Sequence, residues 1–173
     1  MATLFVDKVD PQSGTSLEIG SSGDTIALGS GVTQTIAVNT PAFSAYGAGQ
    51  NLSNSTSTKL TFGNTFYNVG SGYDTSTSRF TVPSGEGGKY VFHAKYRIEN
   101  DSGYIQIEFK KNGGEEASSR EENGYGTQRY ISVNTTWSVG LSAGDYIEAW
   151  GLIVVGNTNG ITNPIFHGYK IIE

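Results

Sequence analysis

The clearest pattern in the chain is strict alternation. In residues 90–98 every second position is apolar: Tyr90, Phe92, Ala94, Tyr96 and Ile98. Between them stand Val91, His93, Lys95 and Arg97. Residues 104–111 repeat the pattern, with Ile105, Ile107 and Phe109 inward and Gln106, Glu108 and Lys110 outward. A period of two marks a strand with one dry and one wet face. Asn112-Gly113-Gly114 then predicts a tight hairpin turn. Upstream, residues 79–82 alternate and stop at Pro83, and Pro83-Ser84-Gly85-Glu86-Gly87-Gly88 predicts a turn. Residues 73–98 therefore read as two strands joined by a turn. Further strands are predicted at 41–46, 59–62, 66–69, 129–141, 146–155 and 165–172. No window carries helical spacing. About eight strands with regular turn signals predict an all-β antiparallel sandwich of the jelly-roll kind over residues 41–173.

Residues 1–40 differ in kind. Thr3-Leu4-Phe5-Val6 reads as a short strand, and short apolar pieces follow between Gly/Ser breaks. Leu17-Glu18-Ile19-Gly20 and Ile26-Ala27-Leu28-Gly29 recur at a spacing of about nine residues. The pieces are too short to bury much alone and gain stability by stacking on copies of themselves or on a partner. The alternative is a flexible linker, which the recurrence of Ile and Leu argues against. The expected division is thus a β attachment segment, 1–40, and a jelly-roll domain, 41–173.

Composition narrows the function. Net charge is −5, and Lys110-Lys111 is the densest basic spot, so no electrostatic footprint for nucleic acid is present. There is no Cys, which removes disulfides and thiolate chemistry. No apolar run approaches the ~20 residues of a membrane-spanning helix. No secretory leader is legible, so synthesis in a host cytoplasm without a targeting step is expected. Catalysis is not expected either. His93 and His167 lie far apart in sequence with no third His, and read as ordinary strand residues rather than metal ligands. No Gly-x-Ser-x-Gly occurs. Glu115-Glu116 and Glu121-Glu122 flank Arg120 in a polar stretch that reads as a solvated loop. No cofactor and no metal are expected.

An ordered set of motifs adds a family resemblance. Pro41-Ala42-Phe43-Ser44-Ala45-Tyr46 comes first, then Phe62, Tyr73-Asp74, Arg79-Phe80-Thr81-Val82-Pro83 and Gly88-Lys89-Tyr90-Val91-Phe92. Asn112-Gly113, Leu141-Ser142-Ala143-Gly144-Asp145-Tyr146-Ile147 and Phe166-His167-Gly168-Tyr169 complete it. Over residues 41–173 this resembles the globular head of complement component one, subcomponent q, in the tumour-necrosis-factor-like superfamily. The resemblance implies a ten-strand jelly roll that forms a tight homotrimer. Some members bind calcium, but no ligand set transfers residue by residue. No collagen-like Gly-X-Y repeat precedes residue 41. Instead, residues 1–40 resemble the starts of virion fibre proteins of tailed bacteriophages. That resemblance implies attachment to a particle through Leu4, Phe5, Val6, Leu17 and Ile19.

Recognition is expected on loops carried by the rigid sandwich. Residues 112–130 offer Arg120, Tyr125, Arg129 and Tyr130, and residues 156–164 offer Asn157, Asn159 and Asn163. Tyr and Asn suit sugar or protein contacts, although plain solvated loops explain them as well. Trp137 and Trp150 are expected in the core or at a subunit interface. Tyr46, Phe66, Tyr96 and Tyr169 are the candidates for a threefold interface. The leading expectation is a short trimeric fibre on a bacteriophage particle surface, anchored to other virion proteins through 1–40 and touching a host glycan or protein. A capsid decoration protein and a cellular lectin-like module are the alternatives. Neither nucleic acid binding nor membrane insertion is expected.

Overall fold

The alternating segments pair into two antiparallel sheets. The computed structural model describes residues 41–100, 103–124, 129–156 and 160–172. The expectations for Leu4, Phe5, Val6, Leu17, Ile19, Tyr125, Asn157 and Asn159 lie outside the described residues. The strands are β1 (Ala42–Tyr46), β2 (Gln50–Asn51), β3 (Thr58–Lys59), β4 (Asn64–Val69), β5 (Tyr73–Asp74) and β6 (Arg79–Thr81). They continue with β7 (Gly88–Asn100), β8 (Gly103–Lys111), β9 (Gly114–Asn123), β10 (Arg129–Leu141), β11 (Tyr146–Val155) and β12 (Gly160–Ile172). One sheet runs β10-β7-β12-β1-β4, with β2 on β12. The other runs β5-β6-β11-β8-β9, with β3 on β11. This is the predicted antiparallel jelly roll.

The inward halves of the alternating strands meet between the sheets. On β7, Tyr90, Phe92, Ala94, Tyr96 and Ile98 are all buried, and β8 adds Ile105, Ile107 and Phe109. The centre of the core is aromatic. Phe43 stacks on Tyr73 at 4.6 Å and on Phe80 at 5.1 Å, and Phe166 meets it edge-on at 4.8 Å. Phe43 and Phe166 come from the first sheet, Tyr73 and Phe80 from the second, so these rings bind the layers together.

The strands flanking Pro83–Gly88 do not form a hairpin. β6 pairs with β5 and β11, whereas β7 pairs with β10 and β12. The turn, closed by Glu86 N–H donating to Pro83 O at 3.1 Å, carries the chain between sheets. Val82 N–H donates to Asp145 O (2.9 Å) and Val82 O accepts from Gly144 N–H (3.0 Å), which fixes where the crossing starts. Asn112-Gly113 does form a hairpin. Both residues have positive φ (51° and 90°), as a type I′ turn demands.

Three expectations need correction. Residues 114–123 are not a loop but β9, paired with β8 along its length. Their polar side chains hid the strand, because an edge strand with one partner buries little. Of the expected strand at 59–62 only Lys59 pairs in register, as the second residue of β3; Leu60 and Phe62 are fully buried nonetheless. Glu108, expected outward and wet, is only 3% exposed. It does lie on the outer face, but Ser57 Oγ donates to it at 2.8 Å and Gln106 and Lys110 flank it.

Candidate functional site

The two outer faces of the sandwich differ in chemistry. On the second sheet the outer side chains form a bonded polar layer. Lys59 Nζ and Arg79 Nη2 meet the Glu148 carboxylate at 2.6 and 2.8 Å, and Trp150 Nε1 donates to its other oxygen at 3.2 Å. Burial pushes this carboxyl up, but those donors outweigh it and hold Glu148 below the usual carboxylate range. Cations cap the aromatic rings: Arg79 over Tyr146, Lys110 over Trp150 and Arg120 over Tyr104, at 3.8–4.1 Å from the ring centres. Trp150 is thus a surface platform under Lys110. Trp137 instead stacks on Phe109 at the core margin.

The first sheet is the reverse. Every exposed large apolar side chain among the described residues lies on it: Tyr46, Phe66, Tyr67, Val69, Tyr130, Tyr169, Ile171 and Ile172. The register orders its outer face into rows. Val69, Ala42, Tyr169, Val91 and Ser138 form one row across the strands. Tyr67, Ser44, His167, His93 and Thr136 form the next, and Asn64, Tyr46, Ile165, Lys95 and Asn134 the third. The bulge between Ser44 and Ala45 lets Phe66 turn onto Tyr46, and the rings stack at 4.5 Å. Phe66 remains 68% exposed.

Of the four interface candidates, Tyr46, Phe66 and Tyr169 share this face. Tyr96 does not. It is 1% exposed, and its hydroxyl donates to Gln106 O (2.8 Å) and Leu152 O (3.1 Å) across the core. It offers no area to a neighbour; its inward position on β7 explains why. The recognition candidates do not converge. Arg120 lies on β9 of the second sheet, its guanidinium donating to Gln106 Oε1. Tyr130 lies on β10 of the first sheet beneath the Arg97 guanidinium. Arg129 begins β10, paired with Asn100. Asn163 stands not in a loop but in β12, at a bulge, with φ of 52°.

Sequence reading missed one juxtaposition. His93 and His167, expected to be unrelated, are direct cross-strand partners with ring centres 4.9 Å apart. His93 Nδ1 shares a 3.0 Å hydrogen bond with Thr136 Oγ1. Burial, then Lys95, lowers the His93 pKa; burial, His93 and Lys95 lower that of His167. The unfolded chain therefore binds protons that the folded pair resists. Stability contributed by this pair is complete above the ordinary value of 6.5 and is lost as pH falls from there through the lower folded values. In metal-free protein the melting temperature is expected to drop between pH 7.5 and 5.5 (chosen, roughly, to bracket an unperturbed His). His167→Gln should flatten that slope, and an unchanged slope would show that other groups cause it.

The C1q domain family model matches residues 42–168. Among solved structures, the globular domain of zebrafish complement 1qA protein is similar, with a TM-score of 0.56 and 18% identity. That alignment covers 78% of this chain and 99% of the zebrafish one. Murine APRIL at pH 5.0 is also similar, with a TM-score of 0.59, 12% identity, and coverage of 77% of this chain and 100% of that one. At such identities these two likenesses concern the fold alone. No curated protein matches the chain. The family match spans most of the sequence and agrees with sheet order and core, and on that basis the chain belongs to the C1q domain family.

Proposed function

We propose that this chain is a non-enzymatic binding module that works as a homotrimer, with the first sheet turned toward its own copies and the second sheet and loops toward a ligand. The asymmetry between the outer faces carries this reading. On the second sheet Lys59 and Arg79 pair with Glu148, and Lys110 and Arg120 cap aromatic rings of the same protomer. The first leaves Tyr46, Phe66, Tyr67, Val69 and Tyr169 exposed together, and an apolar patch of that kind marks an interaction surface. Membership of a domain family whose members are often trimeric binding modules supports the same reading.

The finer reading is a bacteriophage virion protein, a short fibre held on the particle by residues 1–40 and displaying the jelly roll to a host glycan or protein. Its support is the pattern of residues 1–40, which hold no Gly-X-Y repeat, together with the lack of Cys in the given sequence. A chain lacking residues 1–40 is expected to be absent from purified particles by immunoblot. Normal incorporation would remove the anchoring half of the proposal. The same domain fits a cellular lectin-like module equally well, and glycan-array binding without particle association would favour that reading. Electron microscopy that placed the chain on the capsid, with no adsorption to host cells, would identify a decoration protein instead.

A further inference from the structure

We propose that His93 and His167 form a two-imidazole clamp for a divalent transition-metal ion of the zinc, nickel or copper class. These are the chain's only two histidines, and there is no Cys, so the fold has brought together all of its imidazole donors. They are directly opposed on β7 and β12, with both side chains on the outer face. Neighbouring strands in a sheet are fixed partners, so the separation of the two Cβ atoms is set by backbone hydrogen bonds rather than by a mobile loop.

The geometry suits chelation. Two imidazole nitrogens on one metal at 2.0–2.1 Å stand about 3 Å apart, a spacing that rings 4.9 Å apart reach by a modest rotation. The hydrogen bond between His93 Nδ1 and Thr136 Oγ1 orients that ring and leaves its Nε2 for the metal. A concavity of about 380 Å³ opens over the pair, lined also by Val91, Phe92, Thr136 and Tyr169, which gives an ion and its waters room. In the three rows around the pair Lys95 is the sole charged side chain. No carboxylate stands there to favour calcium or magnesium, and Lys95 opposes any cation held by charge alone. Binding must come from nitrogen–metal bonds, which selects ions that favour imidazole. Water, or a group from a neighbouring copy, fills the remaining positions.

The pair lies on the same outer face as the proposed trimer contact, between the Tyr169 and Tyr46 rows, but its two donors come from one protomer and need no partner copy. Full-length protein, freed of metal by chelator, is titrated with Ni²⁺ in a calorimeter, alongside His93→Gln and His167→Gln. Each variant is expected to bind more than about tenfold more weakly, because even an outer partner of a metal ligand is worth that much. Electron paramagnetic resonance of the wild type with Cu²⁺ needs no variant, and is expected to show coupling to two imidazole nitrogens. Equal Ni²⁺ affinity in all three proteins, no binding by the wild type, or oxygen-only Cu²⁺ coordination would overturn the clamp. Sedimentation of the same samples keeps the two readings separate. A monomer with two-nitrogen coordination leaves the clamp standing and removes the trimer, and a trimer without it does the opposite.

Discussion

Phe43→Ala is expected to destabilise the domain by about 3–5 kcal/mol, the range for emptying a fully buried Phe site. The ring is 0% exposed and reaches from β1 to Tyr73 and Phe80 on the other sheet, with Phe166 edge-on. Its loss leaves a hole between the layers that the strands cannot close, since each is held in a ladder on both sides or pinned by a turn. Gly168 sharpens the point. A Cβ there would stand 2.4 Å from Phe92 Cδ1 and 3.0 Å from Phe43 Cε1, so the rings fill the space to the backbone. Against a total stability of about 5–15 kcal/mol, a loss of that size moves the urea midpoint far down. Urea unfolding followed by Trp fluorescence measures it. A loss below about 1 kcal/mol, the scale of a surface substitution, would mean that the aromatic centre is not what joins the sheets.

Tyr169→Glu is expected to separate the subunits without unfolding them. Tyr169 stands in the row Val69, Ala42, Tyr169, Val91 and Ser138, near the middle of the apolar face, and is 47% exposed in the single chain. A carboxylate placed there costs the protomer little, because its environment is solvent. Buried against the apolar side chains of a neighbouring copy it loses its solvation, and an uncompensated buried charge costs about 3–5 kcal/mol. That is more than a hundredfold in association, by the rule of about 1.4 kcal/mol per decade. The expected product is a folded monomer with unchanged far-ultraviolet circular dichroism. Arg120→Glu on the second sheet is the control and should leave assembly intact. If both variants associate like the wild type, the first sheet is not the assembling face.

Much of this architecture is legible in the residues. The alternation of β7 and β8 reveals the inward-facing set correctly, because those strands have a partner on each side and one face closed, but it does not reveal the burial of Glu108 on the outer face. β9 was not legible. Gly-Glu-Glu-Ala-Ser-Ser-Arg-Glu-Glu-Asn has little strand preference, and its pairing is imposed by the Asn112-Gly113 turn and by β8 beside it. Tyr96 shows a different limit. Its inward phase is plain in the sequence, but composition suggested a subunit contact, and only the path of its hydroxyl to Gln106 O and Leu152 O settles its place. The histidine pair depends on register between strands distant in the chain, which no local pattern encodes. The outer aromatic face is intermediate. Tyr46, Phe66 and Tyr169 are visible as aromatics, but their gathering on one face depends on strand order and on the β1–β4 bulge.

Whether the apolar outer face of the first sheet joins copies of this chain is decided by sedimentation equilibrium at micromolar concentration. The expected result is one species with the mass of three 18.4 kDa chains, reduced to a single-chain mass by Tyr169→Glu. A wild-type protein that sediments as a single 18.4 kDa chain across that range would contradict it.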